Sequence, residues 1–117
     1  MSVRVHSAVG TVVALWQGPL EAVGQEHRVE WTVAEDIAWA VNAWPSASGV
    51  SELREDGDRI VCRGQLSLFE DGGAALDVGG TQILFDLADP QLPDGADGSW
   101  VVLRAAQDHV TVWPCGV

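Results

Sequence analysis

Lysine and tyrosine are absent from this 117-residue chain, and cations of any kind are scarce. All six basic residues are arginines: Arg4, Arg28, Arg54, Arg59, Arg63 and Arg104. Seventeen acidic residues stand against them, giving a formal net charge of -11. Such a surface repels phosphate backbones and anionic lipids and attracts basic partners. Six arginines scattered along the sequence are not expected to form the long basic track of a nucleic-acid binder. Without lysine no G-x-x-x-x-G-K-[ST] phosphate loop can be written. G-x-S-x-G is missing, and neither Cys62 nor Cys115 has a recognisable catalytic frame. These two cysteines form neither a CxxC nor a zinc-ligand spacing. No disulfide is expected between them, because nothing points to an oxidising compartment.

Long apolar runs are lacking too. None approaches the ~20 residues of a membrane span. The stretch Ala8–Trp16 follows Arg4 and His6 in the manner of a signal peptide, but Gly10, Thr11, Val12 and Val13 suit a strand and no small-x-small cleavage site follows. The expected location is the cytoplasm, with no membrane partner.

What is present is an ordinary globular content: 47% apolar and 20% charged residues, enough for one packed core over residues 1–117 and against disorder. Turn signals divide it into strands. Asp56-Gly57 lies between Val50–Glu55 and Asp58–Cys62. Asp71-Gly72 lies between Arg63–Glu70 and Ala74–Val78. Asp-Gly between strand-like runs is a strong hairpin signal, since a type I′ turn needs positive φ at both central residues. A last hairpin is expected to pair Ser99–Ala105 with His109–Trp113. In its first strand Trp100 and Val102 share one face, Val101 and Leu103 the other, as in a strand central to its sheet. Gly10 and Gly18 match the spacing of Gly64 and Gly72, a faint internal echo. Asp86–Gly98, with two prolines and two glycines, reads as a long loop.

One helix is expected, from about Val33 to Trp44. Thr32 would be its N-cap and Glu35 the third helical residue of a capping box. Val33, Ile37, Ala40, Val41 and Trp44 would form its buried face, and Pro45 would end it before a Ser46–Gly49 loop. On that helix Trp39 would point towards Glu35, Asp36 and Asn42. A large aromatic among acids is a partner-contact anchor, because tryptophan is enriched at binding hot spots. Glu35, Asp36, Trp39 and Asn42 are therefore the candidate partner-binding residues. The other reading of Trp39 is burial under the adjoining loop. Trp16, Trp31, Trp100 and Trp113, on strands, are expected mostly in the core.

No catalytic residue is singled out. Seventeen acids allow many general acid–base pairs and nothing selects one. Asp86, Asp89, Asp94 and Asp97 lack the D-x-D-x-D-G spacing of a calcium loop. His6, His27 and His109 are far apart. No metal or cofactor is expected. Cys62, in an apolar strand, reads as a buried thiol, and Cys115 as the more exposed one.

The run Trp16-Gln17, Val23-Gly24, Val29-x-Trp31-Thr32 resembles a family of small uncharacterised actinobacterial proteins that share a W-Q, V-G, V-x-W-T pattern. The abundance of Ala, Val, Gly, Asp and Arg fits a GC-rich genome of that kind. The resemblance covers Trp16 to Thr32 and implies origin and fold type, with no activity attached.

The expected fold is mainly β: a small barrel, roll or sandwich of about seven or eight strands with one helix. The expected function is a non-enzymatic acidic protein-binding module that docks a basic protein, of the toxin-neutralising (immunity protein) or nucleic-acid-mimic type. The alternative is a small-molecule-binding β-barrel, or small enzyme, with a Trp-lined pocket.

Overall fold

Alternation of apolar and polar residues dominates the chain, and the computed structural model resolves it into ten strands. It describes residues 1–19, 24, 29–88, 93 and 95–114. The strands are β1 (Ser2–Ser7), β2 (Gly10–Trp16), β3 (Val29–Val33), β4 (Ala43–Pro45), β5 (Glu52–Asp56), β6 (Arg59–Leu68), β7 (Gly73–Val78), β8 (Thr81–Asp86), β9 (Trp100–Ala106) and β10 (Val110–Pro114). They form one curled sheet, a half-barrel, in the order β1-β2-β10-β3-β8-β7-β6-β9-β4, with β5 pairing β6 off that path. The mainly β class stands, with more strands than the seven or eight expected.

Inside the curl, every second residue packs. Val12, Ala14 and Trp16 from β2, Trp31 and Val33 from β3, Ile60, Cys62 and Leu66 from β6, and Val101, Leu103 and Ala105 from β9 are buried together. This is the period-2 pattern of strands covered on one face. The strand tryptophans divide accordingly. Trp16 and Trp31 are core, Trp100 is half-buried, and Trp113 is 45% exposed because Val110 and Val112 take the inward positions of β10.

Both Asp-Gly hairpins form, with Asp56 opposite Arg59 and Leu68 opposite Ala74. The expected third hairpin does not. A short 3-10 turn, Gln107–His109, joins β9 to β10, but the two strands do not pair. β9 already has β6 and β4 on its edges, and β10 has β2 and β3. β9 is flanked on both sides as expected of an inner strand, but it lies next to the end of the sheet, beside the short β4.

No helix is found among the described residues. Residues 34–42 run as irregular chain with isolated bridges Ile37–Leu87 and Trp39–Ala43, and Ala43–Pro45 becomes β4 on the edge of β9. The helical periodicity from Val33 to Trp44 loses for two reasons. The segment contains β-branched and aromatic residues with weak helix propensity, and a lone helix of three turns is marginal. The Glu35 carboxylate that would have closed the capping box accepts instead from Ala106 N–H.

β6 is the longest strand and changes neighbours along its length. Its first half pairs β5 on the edge where its last residues pair β7, with β9 on the other edge. The change falls at Gly64, where a Cβ would lie 2.2 Å from the Asp77 carbonyl oxygen. Across the curl, β5 approaches β2. Leu53 N–H donates to the Val9 carbonyl at 3.0 Å. Side chains complete this closure. Val13 N–H donates to Glu55 Oε1 at 2.6 Å, and Gln107 Nε2 donates to the Val13 carbonyl at 3.0 Å. The open edge of β2 is thereby occupied, which blunts it against strand addition.

Candidate functional site

Glu35, Asp36 and Asn42 do come together, though in a loop rather than on a helix. Asn42 is buried and fully engaged. Its Oδ1 accepts from Ala38 N–H at 2.7 Å, and its Nδ2 donates to the Asp36 carbonyl at 2.9 Å and to Glu35 Oε2 at 3.1 Å. Glu35 Oε1 accepts from Ala106 N–H at 3.0 Å and lies 3.0 Å from His109 Nδ1. The carboxylate expected to cap a helix at Thr32 instead ties the loop to the end of β9. Burial alone would raise its pKa, but the hydrogen bonds from Ala106, His109 and Asn42 outweigh this and hold it below its ordinary value of 4.5. Asp36 is exposed, and Trp39 is half-buried against the core rather than displayed on a helix.

An exposed aromatic set among acids is present at a different place. The turn after β6 carries Phe69, Glu70 and Asp71, and Phe69 is 44% exposed beside an exposed Leu68. Asp71 Oδ1 accepts from Gly73 N–H at 3.0 Å, and Phe69 N–H donates to the Gly73 carbonyl at 2.9 Å, so the turn has a defined shape. A side chain at Gly73 would meet Asp71 Oδ1 at 3.3 Å, Phe69 Cδ2 at 3.6 Å and Asp86 Oδ1 at 3.9 Å. One ring edge and two carboxylates thus converge on a single spot. Asp97 stands on the other edge of β6, its Oδ1 accepting from Leu68 N–H at 3.1 Å. Asp86 ends β8 and Asp97 lies before β9; Asp89 and Asp94, the other acids of the expected Asp86–Gly98 loop, lie outside the described residues, as do His27 and Cys115. Among the described residues no group of three or more His, Cys, Asp or Glu side chains is arranged to hold a metal ion.

Four of the six arginines form a second feature. Val61, in β6, faces outward between Arg59 and Arg63, two residues away on either side. Across the sheet it stands opposite Arg54 of β5 and Arg104 of β9. Its nearest neighbours on that face are therefore all arginines, and it is only 2% exposed. Arginine stems cover apolar surface while their heads reach water. Two carboxylates answer four guanidiniums here. Arg54 Nε lies 2.8 Å from Glu52 and Arg63 3.6 Å from it, and Arg104 lies 2.8 Å from Asp56. Arg59 makes no ion pair among the described residues. Beside this cross is an open cleft of about 400 Å³, lined by Glu35, Val41, Asn42, Trp44, Arg59 and Arg104. Trp44 is the one tryptophan in its wall. The scattered positions in sequence converge because β5, β6 and β9 align their outward residues in one register.

Cys62 points into the core. Burial pushes its thiol up to about 12, which removes it as a nucleophile. Among the described residues no helix is long and apolar enough to cross a membrane. Comparison with protein-family models, with curated proteins and with solved structures finds no match to this chain.

Proposed function

We propose that this protein is a non-enzymatic binding module that docks a basic protein partner, as toxin-neutralising proteins and nucleic-acid mimics do. The docking end is the turn that carries Phe69, Glu70 and Asp71, together with Asp86 and Asp97. The observation that supports this reading is the segregation of charge. Four of six arginines share one face with Glu52 and Asp56, with Glu35 at its rim. The described turn around Phe69, by contrast, brings Glu70, Asp71, Asp86 and Asp97 together without one of these four arginines. An interface needs an apolar centre within a polar rim, and the half-exposed Phe69 beside Leu68 supplies one. Glu35 and Asn42 hold the loop between β3 and β4 through their hydrogen bonds, with Asp36 exposed and Trp39 half-buried beside them. Cytoplasmic location belongs to the same proposal.

The test is capture by the immobilised full chain from the cell's own lysate, followed by identification and reconstitution with purified partner. A basic protein in a stoichiometric complex is expected. Phe69→Ala should weaken the reconstituted complex by about 1–2 kcal/mol while leaving the fold intact. A complex indifferent to Phe69→Ala and to Asp71→Asn, or a partner as acidic as this chain, would sink the reading.

A further inference from the structure

We infer that the cleft beside the arginine cross binds a small phosphate-bearing molecule with a flat ring, of the nucleotide class. This goes beyond the docking reading and does not depend on it. The cleft starts at Arg59, at the opposite end of β6 from Leu68, nine residues and roughly 30 Å along the strand.

The argument starts from charge. In a chain of net charge -11, four arginines stand around one valine, and two carboxylates serve them. Like charges at adjacent strand positions repel. Glu35 brings a third carboxylate to the cleft, but its oxygens are held by Asn42 and the Ala106 N–H, so an anionic ligand would complete the set. Two of the arginines, Arg59 and Arg104, line the cleft. Arg104 is paired with Asp56 at 2.8 Å, whereas Arg59 makes no ion pair among the described residues. A guanidinium offers a planar fork that matches phosphate oxygens two at a time, and a phosphate has enough oxygens for both arginines.

Glu35 and Asn42, bonded to each other, form one part of the remaining wall, and the other part suits a ring. Trp44, half-buried on the outer face opposite Val102, offers an indole surface, and Val41 is 63% exposed at the rim. The cleft volume of about 400 Å³ lies in the range of small-molecule sites. Size also argues for a small ligand over a polymer. Three strands span about 10 Å and the step from Arg59 to Arg63 about 13 Å. A ligand of that size stays within the basic face. A longer polyanion would run past it onto surface where acids prevail, beyond the ~8–10 Å over which salt screens charge.

The test is titration of the full chain with adenosine monophosphate and diphosphate, read by calorimetry and tryptophan fluorescence at low and physiological salt. Adenosine, inorganic phosphate, a ten-nucleotide RNA and oligoglutamate are the comparison probes. The expected result is saturable one-to-one nucleotide binding, adenosine weaker by at least about tenfold, and a comparable loss in Arg59→Ala. Arg59 is the informative position because it is exposed and unpaired, so its loss should spare the fold; Trp44→Leu should remove the fluorescence change. Glu70→Gln, at the far end, should bind as the parent does. No saturation by nucleotide at about 1 mM contradicts the inference. So does binding that Arg59→Ala leaves intact. Tighter binding of the RNA or the oligoglutamate than of nucleotide would assign the face to a polymer and overturn it as well.

Discussion

Ala40 is the described non-glycine residue with a positive φ, at 63°. It sits in the tight turn where Ala40 N–H donates to the Ala43 carbonyl at 2.8 Å and sends the chain into β4. A Cβ in this conformation costs about 1–2 kcal/mol, and glycine avoids it at an entropic cost of about 0.5–1 kcal/mol. Ala40→Gly is therefore expected to stabilise the protein by about 0.5–1 kcal/mol in urea unfolding. Glu35 acts in the opposite sense. Its carboxylate accepts the Ala106 N–H and the Asn42 amide, so Glu35→Ala leaves both donors short of a partner and should cost about 2 kcal/mol. Its pKa is lowered in the folded state, so its contribution is present above the ordinary value of 4.5 and is lost as pH falls through the lower folded value. Unfolding curves of parent and Glu35→Ala should differ most above about pH 5 and converge in acid. A difference that stays constant with pH would mean that the charge is not what holds the loop.

At the scale of elements, the strand β6 organises the molecule, and Gly64 is its pivot. The 2.2 Å approach to the Asp77 carbonyl leaves no room for a methyl group. Gly64→Ala must push β7 from β6, and a loss of about 1–3 kcal/mol is expected, with unchanged secondary-structure content in circular dichroism. Local turn chemistry made several elements legible in the sequence. Gly57 and Gly72 supply positive φ to the two Asp-Gly turns, though their neighbours do not share it as a type I′ turn would require, and Asp71 adds a hydrogen bond to Gly73; Val101 and Leu103 point inward as alternation requires. Long-range pairing was not legible. Ala105 and Val110 flank a short connection that reads as a hairpin, yet each strand finds its partners elsewhere in the sheet. Val33–Trp44 carries real helical spacing, but Ala43 and Trp44 gain more as an edge strand on β9, and Glu35 gains more by capping Ala106 than by capping Thr32. A capping-box pattern records which groups can hydrogen-bond, and not where their partners stand in the fold.

At the scale of the whole molecule, four arginines among the described residues gather on one face and four acids gather around Phe69. The sequence shows an excess of acid and scattered arginines; only the register of β5, β6 and β9 reveals that Arg54, Arg59, Arg63 and Arg104 surround Val61. The acidic aromatic site was likewise hidden. Phe69 next to Glu70 and Asp71 is visible in the chain, but Asp86 and Asp97 reach it only through the β7–β8 pairing and the loop before β9. The molecule measures 44 × 28 × 26 Å, long enough for the two sites to stand well apart. The central claim is that the acidic end around Phe69 docks a basic protein. It is tested most directly by the association rate with the reconstituted partner across a salt series, for the parent, Asp71→Asn/Asp86→Asn and Arg59→Ala. The account predicts an association rate that falls steeply with salt, a flatter slope for the aspartate variant, and no loss of rate for Arg59→Ala. A slope unchanged by the two aspartates, or abolished by Arg59→Ala, would contradict it.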